Sequence, residues 1–143
     1  MYELMLSAKD YLSQAYFIDQ RISSKIEQVQ SLRTLAEKVT PMLTKAPMGK
    51  TRSTHRMEDI IVKMVDMESE INADLKRLVD LKQEITTVIK CVEPLDLQAI
   101  LEMRYLCYKT WAEIAVKLQY ELRHVHRLHG RALTEVESIR RIG

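Results

Sequence analysis

The side chains with the most chemistry to offer gather near the C-terminus. Arg123, Arg127 and Arg131 recur at steps of four, with His124, His126 and His129 between them as H-x-H-x-x-H. Basic groups on the outer side of a helix are the electrostatic footprint of phosphate binding. The histidines raise a second possibility, a metal site. His126 and His129 can share a helical face, but His124 is displaced, and no nearby Cys or carboxylate completes a tetrahedral set. They read as surface or half-buried histidines, with His129 packed beside an inner apolar stripe; no metal is expected.

Other chemical signals are weaker. Gly49-Lys50-Thr51 has the ending of a phosphate-binding Walker loop, but the required first Gly falls on Thr44 and no strand precedes it. From Lys38 to Met57 there are five Lys or Arg and no acid; this stretch reads as a solvated tip that could also touch DNA. Met57, Met64 and Met67 could form an adaptable groove, but they sit at seam positions. Cys91 and Cys107 stand sixteen apart with no C-x-x-C pairing, which fits a reducing compartment. No nucleophile, base and orienting group can be traced together. Neither an enzyme nor a cofactor is expected.

The elements that position these groups read as helices. Of 143 residues, 29% are charged and 6% aromatic, with three Gly and three Pro, a balance that suits an all-α chain. A first segment, about residues 4 to 40, carries Ala15, Ile18, Ile22, Ile26, Val29, Leu32, Ala36 and Val39 at steps of three or four. A second carries Met57, Ile60, Met64, Met67, Ile71, Leu75, Leu78, Leu81, Ile85, Val88 and Val92. One slip breaks that alternation, where Leu75 stands one place beyond Asp74. The pattern is close to a heptad seam, and each helix would be roughly 50 Å long at 1.5 Å per residue. Pro41, Pro47 and Gly49 are expected to end the first helix. The expected architecture is a long antiparallel, coiled-coil-like hairpin over residues 1–93. Pairing of each helix with its copy in a second chain buries the same seam and stays open.

Beyond Glu93-Pro94 the pattern shortens, and a second domain is expected over residues 94–143. Leu97, Ile100, Leu101 and Tyr105 mark the inner face of a helix from about Asp96 to Leu106. Thr110-Trp-Ala-Glu113 reads as a capping box, and Ile114, Ala115 and Leu118 as the inner face of the helix it starts. A tight break at Gln119-Tyr120-Glu121 precedes a third helix with Val125, Leu128, Ala132 and Val136 on one side. Helix, tight turn and basic helix is the layout that places a recognition helix in the major groove. From Ile114 to Gly143 six Lys or Arg face three Glu, an excess of three that exceeds the net +2 of the chain. The positive charge is therefore concentrated where DNA contact needs it.

The run Leu101-Glu-Met-Arg-Tyr-Leu-Cys-Tyr-Lys-Thr-Trp-Ala-Glu-Ile-Ala-Val-Lys-Leu118 resembles the start of sigma-factor region 4. The continuation His124-Val-His-Arg-Leu-His-Gly-Arg-Ala-Leu133 looks like a phage-borne branch of that superfamily. With the N-terminal helices included, most of the chain resembles the phage and prophage transcription regulators of the ArpU/RinA type. The resemblance implies DNA binding through the third helix and a role in switching on phage genes. By position, Thr110 would lie against a phosphate at the start of the second helix, Arg123, His124 and Arg127 would face base edges or phosphates, and Arg131 the backbone; Lys109 and His126 complete the expected DNA-binding residues. The sequence departs from the pattern at Gln119, where the turn often has Gly, and at Glu121, where the cap often has Ser. A carboxylate at Glu121 favours the helix dipole but repels a nearby phosphate.

The expected function is a sequence-specific DNA-binding regulator that activates phage late genes. Its expected partners are double-stranded DNA, host RNA polymerase, and further copies of itself through the long helices. The N-terminal stretch has no basic n-region and is a poor signal peptide, and no apolar run approaches a membrane span; the expected location is the cytoplasm of a bacterial host. Two other readings compete. One is a helical adaptor that binds polymerase or another protein; the other is a DNA-packaging factor resembling a small terminase subunit.

Overall fold

The structure is a computed structural model that describes residues 6–45 and 50–142, apart from the side chains of residues 42–45, 50–53 and 142. It is all-helical, with no strand among the described residues. The elements are α1 (Ala8–Lys45), α2 (Lys50–Lys90), α3 (Leu95–Leu101), α4 (Trp111–Leu118) and α5 (Leu122–Ile142). A π-helical turn, Glu102–Leu106, continues α3. No described helix is long and apolar enough to cross a membrane. The chain forms two compact units, Asp19–Arg77, and Met1–Ile18 with Leu78–Gly143.

In the unit Asp19–Arg77, α1 and α2 meet along the apolar stripes. Ile22, Val29 and Val39 of α1 and Ile60 of α2 are buried. Lys25 Nζ lies 2.9 Å from Asp74 Oδ2 and 3.4 Å from Glu70 Oε2, and Arg21 Nε lies 3.2 Å from Asp74 Oδ2. Further along, Leu32 and Leu35 line one groove with Lys63 and Met67.

One part of the expected seam is corrected. Ile26 and Leu75 are 43% and 42% exposed, and the neighbouring Lys25 and Asp74 are buried instead. Lys25 is three residues from Ile22 and four from Val29; Asp74 is three from Ile71 and four from Leu78. The heptad alternation therefore runs through the charged pair, and the slip at position 75 is not a slip of the backbone. A hydrogen-bonded ion pair can occupy a seam when each charge compensates the desolvation of the other.

The end of α1 is a second correction. The helix passes through Pro41 to Lys45. The proline ring fixes φ close to the helical value, so its cost is one N–H and some crowding of the turn before it. So near the helix terminus, this does not stop the last turn. The expected loop shrinks because α2 begins at Lys50. Gly49 of the Walker-like triplet, and the basic side chains of Lys45, Lys50 and Arg52, lie outside the described residues.

In the other unit, the first turns of α1 and the last turns of α2 share a core with the C-terminal helices. Leu12, Ala15, Ile85, Ile89, Val92, Leu97, Ile100, Leu101 and Ile114 are buried, as are Val125, Leu128, Ala132 and Val136 along α5. Each large aliphatic side chain removed from water contributes about 1.5–3 kcal/mol. Three polar ties accompany this core. Gln98 Nε2 donates to Lys90 O and Val92 O and so satisfies carbonyls at the end of α2. Arg140 Nη1 donates to Leu6 O, with its guanidinium 4.0 Å from the Tyr11 ring centroid. Glu137 Oε1 accepts from Ala8 N at 3.4 Å, placing a carboxylate at the positive end of α1. The compact unit therefore reaches back from Pro94 to Leu78.

Candidate nucleic-acid interface

The π-helical turn sets the start of the site. Cys107 N donates to Glu102 O, a bond five residues long. Tyr105 turns inward, while Arg104 stacks 4.4 Å from the Trp111 ring centroid and donates to Lys109 O at 3.0 Å. Arg104 thus fixes the segment that carries Lys109 and Thr110. The sequence offered it only as one letter of a motif, because its role depends on a stacking partner seven residues away.

At the start of α4 the capping box is complete. Thr110 Oγ1 accepts from Glu113 N at 3.2 Å, and Glu113 Oε1 accepts from Thr110 N at 3.0 Å. These hydrogen bonds hold the Glu113 carboxyl below its usual range, with the backbone N–H of Thr110 as the main cause. Ile114 buries the inner side, and Trp111 lies between Arg104 and two imidazoles, His126 at 5.0 Å and His129 at 4.5 Å. The helix ends at Gln119 in the left-handed region, φ 59° and ψ 38°. That is the conformation for which glycine is the usual residue. Gln119 thus adopts a glycine-like conformation at the expected tight break.

Helix α5 begins at Leu122, after Tyr120 and Glu121, and has two sides. Val125, Leu128, Ala132 and Val136 face the core. Arg123, Arg127 and Arg131 are exposed, four residues apart, and His124 is half-buried on the same side. Arg127 Nη2 is 2.6 Å from His124 Nδ1. The His124 ring stands edge-on to Tyr120 at 4.8 Å, and the Tyr120 hydroxyl donates to Asp96 Oδ2 at 3.4 Å. His126 departs from this group: it points to the flank where Trp111 lies.

Below that surface, the Tyr105 hydroxyl is 2.6 Å from His129 Nε2, with both residues buried. Burial pushes the Tyr105 phenol up to about 12, so the hydroxyl stays protonated beside the imidazole. Burial, reinforced by Lys9, Arg104 and His126, lowers the His129 imidazole to about 4. A neutral His129 thus anchors α5 to the π-helical turn.

Comparison with protein families finds that residues 38–137 match the family described as Protein of unknown function (DUF1492). The chain belongs to that family. The matched region includes α2 to α4, the turn and most of α5, and with them every side chain of the candidate interface. Comparison with curated proteins finds no match, and comparison with solved structures finds none.

Proposed function

We propose that this chain is a sequence-specific regulator of transcription that binds double-stranded DNA and activates phage late genes in the cytoplasm of a bacterial host. In this reading α4, the turn at Gln119 and α5 form a helix-turn-helix, with α5 in the major groove. The observation that carries it is the two-sided α5, with four apolar residues in the core and Arg123, His124, Arg127 and Arg131 on the opposite side. The capped start of α4 and its left-handed end support the same arrangement. Thr110 and Lys109 then lie at the backbone beside α4, and His126 on its flank.

The long helices are proposed to form an antiparallel hairpin within the chain, supported by the pairing of Lys25 with Asp74. Copies of the chain are proposed to associate through these helices. Ile61, Val62, Val65 and Leu75 of α2 lie exposed outside the Lys25–Asp74 seam and supply apolar surface for this. The same surface favours the adaptor reading, in which host RNA polymerase or another protein covers it, and it also suits the ring of a packaging factor.

The test is binding to duplexes from the gene neighbourhood of the chain, with random duplexes as control, while light scattering gives the oligomer size. Preference for one fragment, weakened by Arg127→Ala, supports the regulator. Equal weak binding to all fragments, or none, favours the adaptor, and a ring-sized oligomer favours packaging.

A further inference from the structure

The outer side of α5 carries more than positive charge. A guanidinium can only donate hydrogen bonds, so in the 2.6 Å contact between Arg127 Nη2 and His124 Nδ1 the imidazole nitrogen is the acceptor. The proton of the neutral ring must then sit on Nε2. Its plane is braced by the Tyr120 ring, which is itself tied through its hydroxyl to Asp96. His124 and Arg127 therefore leave only donors for a ligand: Nε2–H of the imidazole and the remaining N–H groups of the guanidinium. The acceptor the imidazole would otherwise offer is consumed inside the pair.

Such a head discriminates among bases. In the major groove guanine shows two acceptors, N7 and O6. Adenine sets a donor beside its N7, cytosine shows a donor, and thymine one acceptor and a methyl group. A donor-only pair matches guanine and meets the amino groups of adenine and cytosine donor to donor. An unpaired imidazole in the other tautomer would lack this bias.

Resting on the helix-turn-helix reading above, we propose that the His124–Arg127 pair selects guanine in the bound duplex. Arg127 addresses N7 and O6, and His124 Nε2–H addresses an acceptor of the adjoining base pair. Tyr120 and Asp96 act as positioning residues that hold the ring at the angle Arg127 requires.

The experiment selects duplexes from a random library with the full chain, then substitutes 7-deazaguanine at each selected guanine. The expected result is a selected guanine whose N7 removal weakens binding about tenfold, as for loss of half a bidentate contact. Arg127→Ala should equalise the four bases at that position. Tyr120→Phe, which keeps the ring and removes the hydroxyl, should reduce the preference for guanine several-fold. Selection of a sequence without guanine, or indifference to 7-deazaguanine, overturns the proposal and leaves DNA binding standing. Failure to bind any duplex overturns both this proposal and the regulator reading.

Discussion

Lys25 and Asp74 face each other at 2.9 Å in the seam between α1 and α2, where the adjoining layers are aliphatic. The Lys25 hydrogen bond, with Arg21 and Arg77 nearby, holds the Asp74 carboxyl below its usual range against the opposing effect of burial. A carboxylate lowered in the folded state contributes stability above its unfolded value, and that contribution disappears as pH falls through the folded one. Asp74→Ala leaves the Lys25 ammonium without its main partner. The expected loss is about 2 kcal/mol, less than for a deep interior pair, because only two helices cover the site and Glu70 remains close. Lys25→Leu with Asp74→Leu should unfold at least as late in urea as the parent. Equal stability of Asp74→Ala and the parent would show that the pair carries no weight.

His129 supplies a second pH dependence. Its folded value of about 4 lies below the usual 6.5, so the unfolded chain takes up a proton first as pH falls. The His129 contribution to stability should be constant above about 6.5, decline from there towards 4, and level off once both states are protonated. His129→Gln retains an acceptor for Tyr105 and does not titrate. Urea midpoints at pH 7 and 5.5 should differ in the parent and converge in that variant. An unchanged slope in the variant would assign the dependence elsewhere.

Gln119 holds a left-handed conformation at the end of α4. Gln119→Gly should raise stability by up to about 1 kcal/mol, the relief of left-handed strain less the extra freedom glycine gives the unfolded chain. Thermal unfolding reads this directly. A lower midpoint would mean that the glutamine side chain contributes more than its backbone costs.

Glu121 is exposed where α5 begins, beside the face assigned to DNA. Glu121→Ser removes a negative charge from the path of a phosphate and retains a capping oxygen. Affinity for a bound duplex should rise by a factor of about two to five, as expected of one charge near a helix terminus. Unchanged or weaker binding would place the phosphates away from this turn.

Local signals were legible in the residues. The Thr110–Glu113 box lies within four positions of the chain, and the core side of α5 repeats at helical period, so neither needs a tertiary partner to be read. The seam was legible except at its polar layer and near the end of α2, where Ile89 is buried and the expected Val88 only half-buried. Apolar Ile26 and Leu75 stand one place from Lys25 and Asp74, and a hydrophobic pattern chooses the apolar neighbour. Only the meeting of opposite charges forty-nine residues apart reverses that choice. Arg104 over Trp111, and Arg127 on His124, depend on rotamers that the π-helical turn and the Tyr120 ring select; neither device is written in residue spacing. Pro41 misled because a proline is tolerated near the end of a helix that packing holds in place.

The most direct test of the account is the salt dependence of affinity for a selected duplex, measured by fluorescence anisotropy for the parent, Arg131→Ala and Arg127→Ala. Affinity should fall steeply with salt. Arg131→Ala should reduce the slope by about one unit and weaken all duplexes alike, whereas Arg127→Ala should remove the preference for the selected duplex. A shallow slope indifferent to both substitutions would contradict the assignment of α5 to DNA.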